Sequence, residues 1–131
     1  MKPEVRRALY WAGSSKDDFS AFPVRVQKNM GVALYVAQLG GMPPSAKPWK
    51  GLGPGVFELL ADYQGNAFRA VFVVCLGNAM HVLHAFQKKS KSGISTPRLD
   101  IEVVGSRLKQ VLANDVQGAI FHGKKRNASG N

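Results

Sequence analysis

Glu58, Arg69, His84, Lys88 and Lys89 bring a carboxylate, a guanidinium, an imidazole and two ammonium groups to the spacing of three consecutive strands. Between Gln87 and Arg98 the chain has four basic residues, Lys88, Lys89, Lys91 and Arg98, and no acidic one. An arginine offers a rigid fork of donors to two phosphate oxygens, and lysines add mobile positive charge. Such a set suits a phosphodiester, because a phosphorane transition state gathers more negative charge than the ground state. An imidazole on the same side could move a proton near neutrality. The plainer alternatives are a cross-sheet salt bridge between Glu58 and Arg69, a packed strand histidine, and a solvated basic loop.

The hydrophobic pattern says which elements must position these groups. Residues 56–62, 67–76 and 79–87 read as strands, joined by turns at Tyr63-Gln64-Gly65-Asn66 and Gly77-Asn78. The middle one is apolar on both faces apart from Arg69, as a central strand should be. Alternation groups Arg69 with Val71, Val73 and Cys75, and Glu58 with Val56, Leu60 and Asp62. On the last strand it groups Met80, Val82, His84 and Phe86 against His81, Leu83, Ala85 and Gln87. Phe57, Leu59, Phe68 and Phe72 supply the face on which helices pack.

Upstream, residues 5–11 form an edge strand that ends at Gly13-Ser14-Ser15. Ser15 and Asp18 have the spacing of a helix N-cap followed by an acid near the positive end of the helix dipole. Pro23 ends that short helix and opens a second one, with Val26, Met30, Ala33, Leu34 and Ala37 as its apolar stripe. Gly40-Gly41 and Pro43-Pro44 stop it. Residues 42–55 are a proline- and glycine-rich crossing anchored by Trp49. Thr96-Pro97 opens a last helix with Ile101, Val104, Leu108 and Val111 on its buried face, a pattern that fades beyond Asn114. The expectation is an α+β fold: an N-terminal strand and helical pair on a largely antiparallel sheet of about four strands, then a C-terminal helix. Residues 1–114 make one domain, and residues 115–131 a basic, flexible tail.

Composition narrows the function. The 131 residues carry 18 Lys and Arg against 8 Asp and Glu, a net charge of +10, which points to a polyanionic partner and first to nucleic acid. A single cysteine, Cys75, rules out an internal disulfide and fits a reducing compartment. No segment has the roughly 20 apolar residues of a membrane span, and the N-terminus lacks a signal-peptide core, so a cytoplasmic protein is expected. Three scattered histidines make no metal site, with His81 and His84 expected on opposite faces. GLGPG has no preceding strand and a central proline, unlike a nucleotide fingerprint. The serines of SKSG lack a positioned base and acid. No cofactor is called for.

The runs GVFELLAD, FRAVFVV and VLHAFQKKSKSGISTPRLDIEVVGSRL resemble the HigB-type branch of the RelE/ParE toxin superfamily. WAGSSKDDFSAFP and ALYVAQLGGMPPSAKPWKGLGPG resemble it too, and HAFQKKSKSG followed by TP is the most specific part. The resemblance implies the toxin of a type II toxin–antitoxin system, a ribosome-dependent messenger RNA endoribonuclease that works without metal. In that chemistry the ribose 2′-hydroxyl attacks the adjacent phosphate, leaving a cyclic phosphate and a 5′-hydroxyl. It also implies a cognate helix-turn-helix antitoxin. By position, Glu58, Arg69, His84, Lys88 and Lys89 match the catalytic set. Lys47 and Lys50 match RNA-contacting lysines, with Phe86, Lys91 and Arg98 completing the RNA surface. Leu60 departs from the pattern, since relatives often have arginine there. A gyrase-inhibiting toxin of the same fold and a non-toxic phage-derived nucleic-acid-binding protein are the competing expectations.

Overall fold

A computed structural model describes residues 6–75, 77–88 and 97–122, without the side chains of 115–122. Strand β1 (Ala8–Trp11) leads to helix α1 (Ser15–Ser20) and helix α2 (Val24–Gln38). Strands β2 (Ala46–Pro48), β3 (Val56–Tyr63), β4 (Asn66–Cys75) and β5 (Ala79–Lys88) follow, then helix α3 (Arg98–His122). The sheet runs β1-β5-β4-β3-β2, with β1 parallel to β5 and every other pair antiparallel. The α+β architecture is as the pattern implies, with five strands rather than about four, but α3 packs on the face of Glu58 and Arg69 and not with the helical pair. The additional one, β2, is a three-residue edge inside the proline-rich crossing. Its Pro48 is tolerated because an edge strand needs hydrogen bonds on one side only.

Local chemistry accounts for the helix starts and stops. Ser14, not Ser15, precedes α1, and its hydroxyl donates to the Asp18 carboxylate at 2.7 Å. Ser15 is fully buried and donates instead to the Val82 carbonyl at 3.1 Å, tying the helix to β5. Helix α2 buries Val26, Met30, Ala33, Leu34 and Ala37, the whole expected stripe. Gly40 then takes φ of +97°, a conformation open to glycine. At the other end of the fold, Gln64 and Gly65 both have positive φ, at 52° and 81°, which closes the β3–β4 hairpin with the twist its strands need.

The sheet separates two cores. Phe19, Phe22, Val26 and Met30 from the helical pair pack on Leu59, Phe68, Phe72, Met80 and Val82. On the opposite face Val104, Leu108 and Val111 of α3 pack on Val56, Val71, Val73 and Leu83, with Trp49 at the border. Ile101 was expected in that stripe but is 45% exposed. Asp100 occupies the equivalent phase, one helical repeat before Val104. The backbone of α3 also continues to His122, past Asn114, into the stretch expected to be a flexible tail. Residues 123–131 of that tail lie outside the described residues.

One break in the sheet decides which side chains share a face. Val71 of β4 pairs with His84, whereas Phe72 pairs with Val82, so Leu83 is one residue more than β4 can match. This is a β-bulge, and it resets the alternation of β5. Before it, Met80 and Val82 face the helical pair. After it, Ala85 takes that side, while His84, Phe86 and Lys88 turn toward the face of Arg69. The unbroken grouping of Met80, Val82, His84 and Phe86 is therefore corrected, as is the separation of the histidines. His81 pairs with Val73, on the same side as His84.

The bulge is held from outside the sheet. The Leu83 carbonyl accepts from Arg107 Nη1 at 2.9 Å, and Arg107 Nη2 reaches Ser14 Oγ at 3.2 Å. Gly13, at φ +54°, lies beneath this guanidinium, and a Cβ there would come within 2.6 Å of it. The adjacent Val82 carbonyl accepts from the Ala12 amide at 2.9 Å as well as from Ser15. Arg107→Ala would strand a partly buried carbonyl, at a cost of about 1–3 kcal/mol. Urea unfolding should show the midpoint falling with an unchanged slope.

Candidate active site

With β5 reset, the face under α3 carries three rows of side chains across the sheet. In one row Lys47 lies opposite Glu58, Glu58 opposite Val71, and Val71 opposite His84. In the next, Leu60, Arg69 and Phe86 are in line. In the last, Asp62, Ala67 and Lys88 are in line. Arg69 Nη1 crosses diagonally to Glu58 Oε1 at 2.8 Å, and both side chains are largely buried. Arg69 Nε is buried with no hydrogen-bond partner among the described residues.

Lys88 is the cation that burial perturbs. Only 4% of the residue is exposed. Desolvation first, and the nearby Arg69 guanidinium second, push its ammonium below the usual lysine value of 10.5, while the Glu58 carboxylate partly counteracts both. Arg69, Glu58 and Lys88 are therefore one electrostatic cluster. A lysine lowered in this way is a better proton donor than an ordinary surface lysine.

His84 is placed differently. Its Nε2 lies 2.7 Å from Asp100 Oδ1, its ring stacks on Phe86 at 4.9 Å and 22°, and its Nδ1 is buried without a partner among the described residues. Neither nitrogen is open, since Asp100 faces one and burial covers the other. The imidazole instead joins the first turn of α3 to the strand that holds Lys88. Phe86 is 7% exposed, so its ring is not an open platform for a base.

The remaining expected residues divide. Lys47 is exposed directly across from Glu58, and Lys50 is exposed just beyond β2. Arg98 is exposed and pairs along its own helix with Glu102 at 3.2 Å, a solvent-facing contact that leaves it apart from the cluster. Lys89 and Lys91 lie outside the described residues. Leu60, directly opposite Arg69, gives the cluster an apolar wall where a further cation was the family expectation. Among the described residues, no three His, Cys, Asp or Glu side chains group as metal ligands, and no helix is long and apolar enough to cross a membrane.

Two residues of the assembly escaped the sequence reading, Asp100 and Arg107. The signal for Asp100 was present, because it is in phase with Val104, Leu108 and Val111 on the buried stripe. An acid in that phase implies a polar partner on the sheet.

The family model for phage-derived protein Gp49-like (DUF891) matches residues 17–109, and the chain belongs to that family. A solved structure of Escherichia coli toxin RelE, a double arginine-to-alanine mutant in the free state, shares the fold with a TM-score of 0.51 at 14% identity. That similarity covers 81% of this chain and 98% of the RelE chain. The toxin–antitoxin complex RelBE2 from Mycobacterium tuberculosis is more distant, with a TM-score of 0.47 and 12% identity over 64% of this chain and 100% of that one. Comparison with curated protein sequences gives no match. Family and fold together support the RelE/ParE superfamily.

Two measurements check the electrostatics. For Lys88, a lowered pKa in the folded state means that the unfolded chain binds more protons between that pKa and 10.5. Stability in this window should rise with pH in the wild type by an increment that Lys88→Met lacks, as pH-dependent urea unfolding would show. For His84 and Asp100, a double-mutant cycle with His84→Phe and Asp100→Ala should give a coupling of about 0.5–3 kcal/mol. Additive effects would mean that the contact contributes nothing.

Proposed function

We propose that this protein is the toxin of a type II toxin–antitoxin pair, of the HigB-like kind, and that it cleaves messenger RNA on the ribosome. The observation that carries this reading is the cluster of Arg69, Lys88 and Glu58 on one sheet face, with Lys47 at its margin. The ribose 2′-oxygen attacks the neighbouring phosphorus and its proton passes to Glu58. Arg69 and the Lys88 ammonium stabilise the charge that builds on the phosphorane. The bond from phosphorus to the 5′-oxygen then breaks, and Lys88 supplies the proton that this oxygen takes up. The products are a 2′,3′-cyclic phosphate and a 5′-hydroxyl. The positive charge comes from the two side chains, so the mechanism is written without a metal.

In this scheme His84 is a positioning residue rather than the acid or base, because Asp100 and burial occupy its two nitrogens. Lys89 and Lys91 extend the basic chain beyond Lys88, and Lys50 extends it beyond β2. A helix-turn-helix antitoxin, the ribosome and the cytoplasm complete the setting. Family membership and the RelE-type fold support the antitoxin among these.

A toxin that binds gyrase without cutting RNA is the second reading. It is favoured by one observation, that Glu58 is already neutralised by Arg69. Arg69→Ala decides between them. On the ribonuclease reading it should lower cleavage by about 10²–10³-fold, the scale for losing one transition-state donor. Growth arrest should be relieved while the antitoxin still co-purifies. Undiminished arrest, with intact messages and induced DNA-damage signalling, would favour the gyrase-binding reading.

A further inference from the structure

Five of the nine large apolar side chains exposed among the described residues lie on α2 or just past it: Val24, Val32, Tyr35, Leu39 and Met42. At about 100° per residue, Val24, Val32, Tyr35 and Leu39 fall within an arc of about 80°. The buried Val26, Met30, Ala33, Leu34 and Ala37 occupy the opposite side. Helix α2 is therefore apolar on two faces, and no described residue covers the outer one. Single exposed apolar residues are ordinary, but an aligned row of them marks a contact surface. The cations of α2 sit on this same side. The helix has no Asp or Glu, its Arg25 and Lys28 are exposed, and the Arg6 guanidinium lies 5.7 Å from the centre of the Tyr35 ring. Gly31 borders the stripe, and a Cβ there would meet no atom within 4 Å. Glycine weakens a helix interior relative to alanine, and no described neighbour needs the space it leaves.

We propose that this stripe docks an amphipathic helix of the antitoxin, with apolar residues along its contact face and acidic residues on its flanks. The proposal rests on the toxin–antitoxin reading and assigns the surface that the pairing uses. The arc is as narrow as the seam between two packed helices, and α2 runs about 22 Å over its 15 residues, room for four turns of a partner. Flanking carboxylates pair with Arg6, Arg25 and Lys28, while apolar residues meet Val32, Tyr35 and Leu39. Gly31 lets the partner backbone approach closely. A second copy of this chain fits poorly, because it would set Arg25 and Lys28 against more cations in a chain of net charge +10. The sheet lies between the stripe and the Arg69 cluster, since α2 packs on Leu59, Phe68 and Phe72. This contact therefore anchors the antitoxin without touching that cluster.

The test is co-expression of the full-length chain with its antitoxin, followed by affinity measurement on the purified partners. Val32→Glu should weaken binding by about tenfold or more, the scale of one interface hot spot. Gly31→Leu should weaken it comparably while raising the urea midpoint of the toxin alone, a combination that a folding defect does not produce. Lys28→Glu should also weaken binding, by a factor that shrinks at high salt. Wild-type affinity in both Val32→Glu and Gly31→Leu would overturn the surface while leaving the pairing intact. Wild-type affinity in Lys28→Glu would overturn the acidic occupant. A chain that self-associates through these residues, or that binds vesicles of anionic phospholipid through them, would overturn the assignment as well. Failure of the wild type to bind the antitoxin would refute the pairing itself. Messenger cleavage is read separately, so a complex formed through α2 by a chain that cuts no RNA would refute the ribonuclease activity alone.

Discussion

Leu83 is the residue that β4 cannot pair, and the hydrogen bond from Arg107 to its carbonyl is what makes the extra residue tolerable. Without the bulge, strict alternation would aim His84, Phe86 and Lys88 at the core between the sheet and the helical pair. An ammonium among Phe22, Phe68 and Met30 would lose its hydration with nothing in return. With the bulge, the same strand buries Met80 and Val82 on one side and presents its later polar residues on the other. Arg107 joins α3, the bulge and the start of α1, and Gly13 leaves the space it needs. Site geometry thus depends on a residue that does not touch the reacting groups.

The second constraint is electrostatic. In a chain of net charge +10, several cations on one sheet face repel one another. Glu58 lies among Lys47, Arg69 and Lys88, and its carboxylate offsets part of that repulsion within the folded chain itself. A buried ion pair of this kind adds little net stability, since desolvation consumes much of the Coulomb gain. Its use is to hold Arg69 in a single orientation. A phosphate can then share the guanidinium with Glu58, because one fork serves two anions. The depressed Lys88 follows from the same crowding, as its neighbour Arg69 disfavours its charge.

Most of the architecture was legible because it rests on short-range rules. Period-2 alternation marked β3, β4 and β5, the i, i+4 stripe marked α2, and glycine pairs marked the turns. Glu58 and Arg69 were assigned to one face because no irregularity separates β3 from β4. What alternation could not convey was the bulge, since Leu83 and His84 look like ordinary strand residues and the donor that stabilises the kink is 24 residues away in sequence. The same limit hid β2, too short for a periodic signal, and led to Ile101 being preferred over Asp100 on the buried stripe. Hydrophobicity favours isoleucine there, but the partner across the interface is an imidazole rather than an apolar side chain. The helix beyond Asn114 was missed because its apolar stripe ends, although backbone hydrogen bonding does not.

The contact between His84 and Asp100 carries the synthesis one step further. Asp100 lies in the first turn of α3, the end of a helix that favours negative charge, so the carboxylate suits both the backbone and the imidazole. The pair ties the first turn of α3 to the sheet. A histidine used in this way holds Phe86 and the strand end in place against α3. Under the ribonuclease proposal the proton chemistry falls to Glu58 and Lys88, which share the electrostatic field of Arg69 and lie on the same face. Their opposite charges suit the two halves of that proposed reaction, one group to take the 2′-hydroxyl proton and the other to return one to the 5′-oxygen.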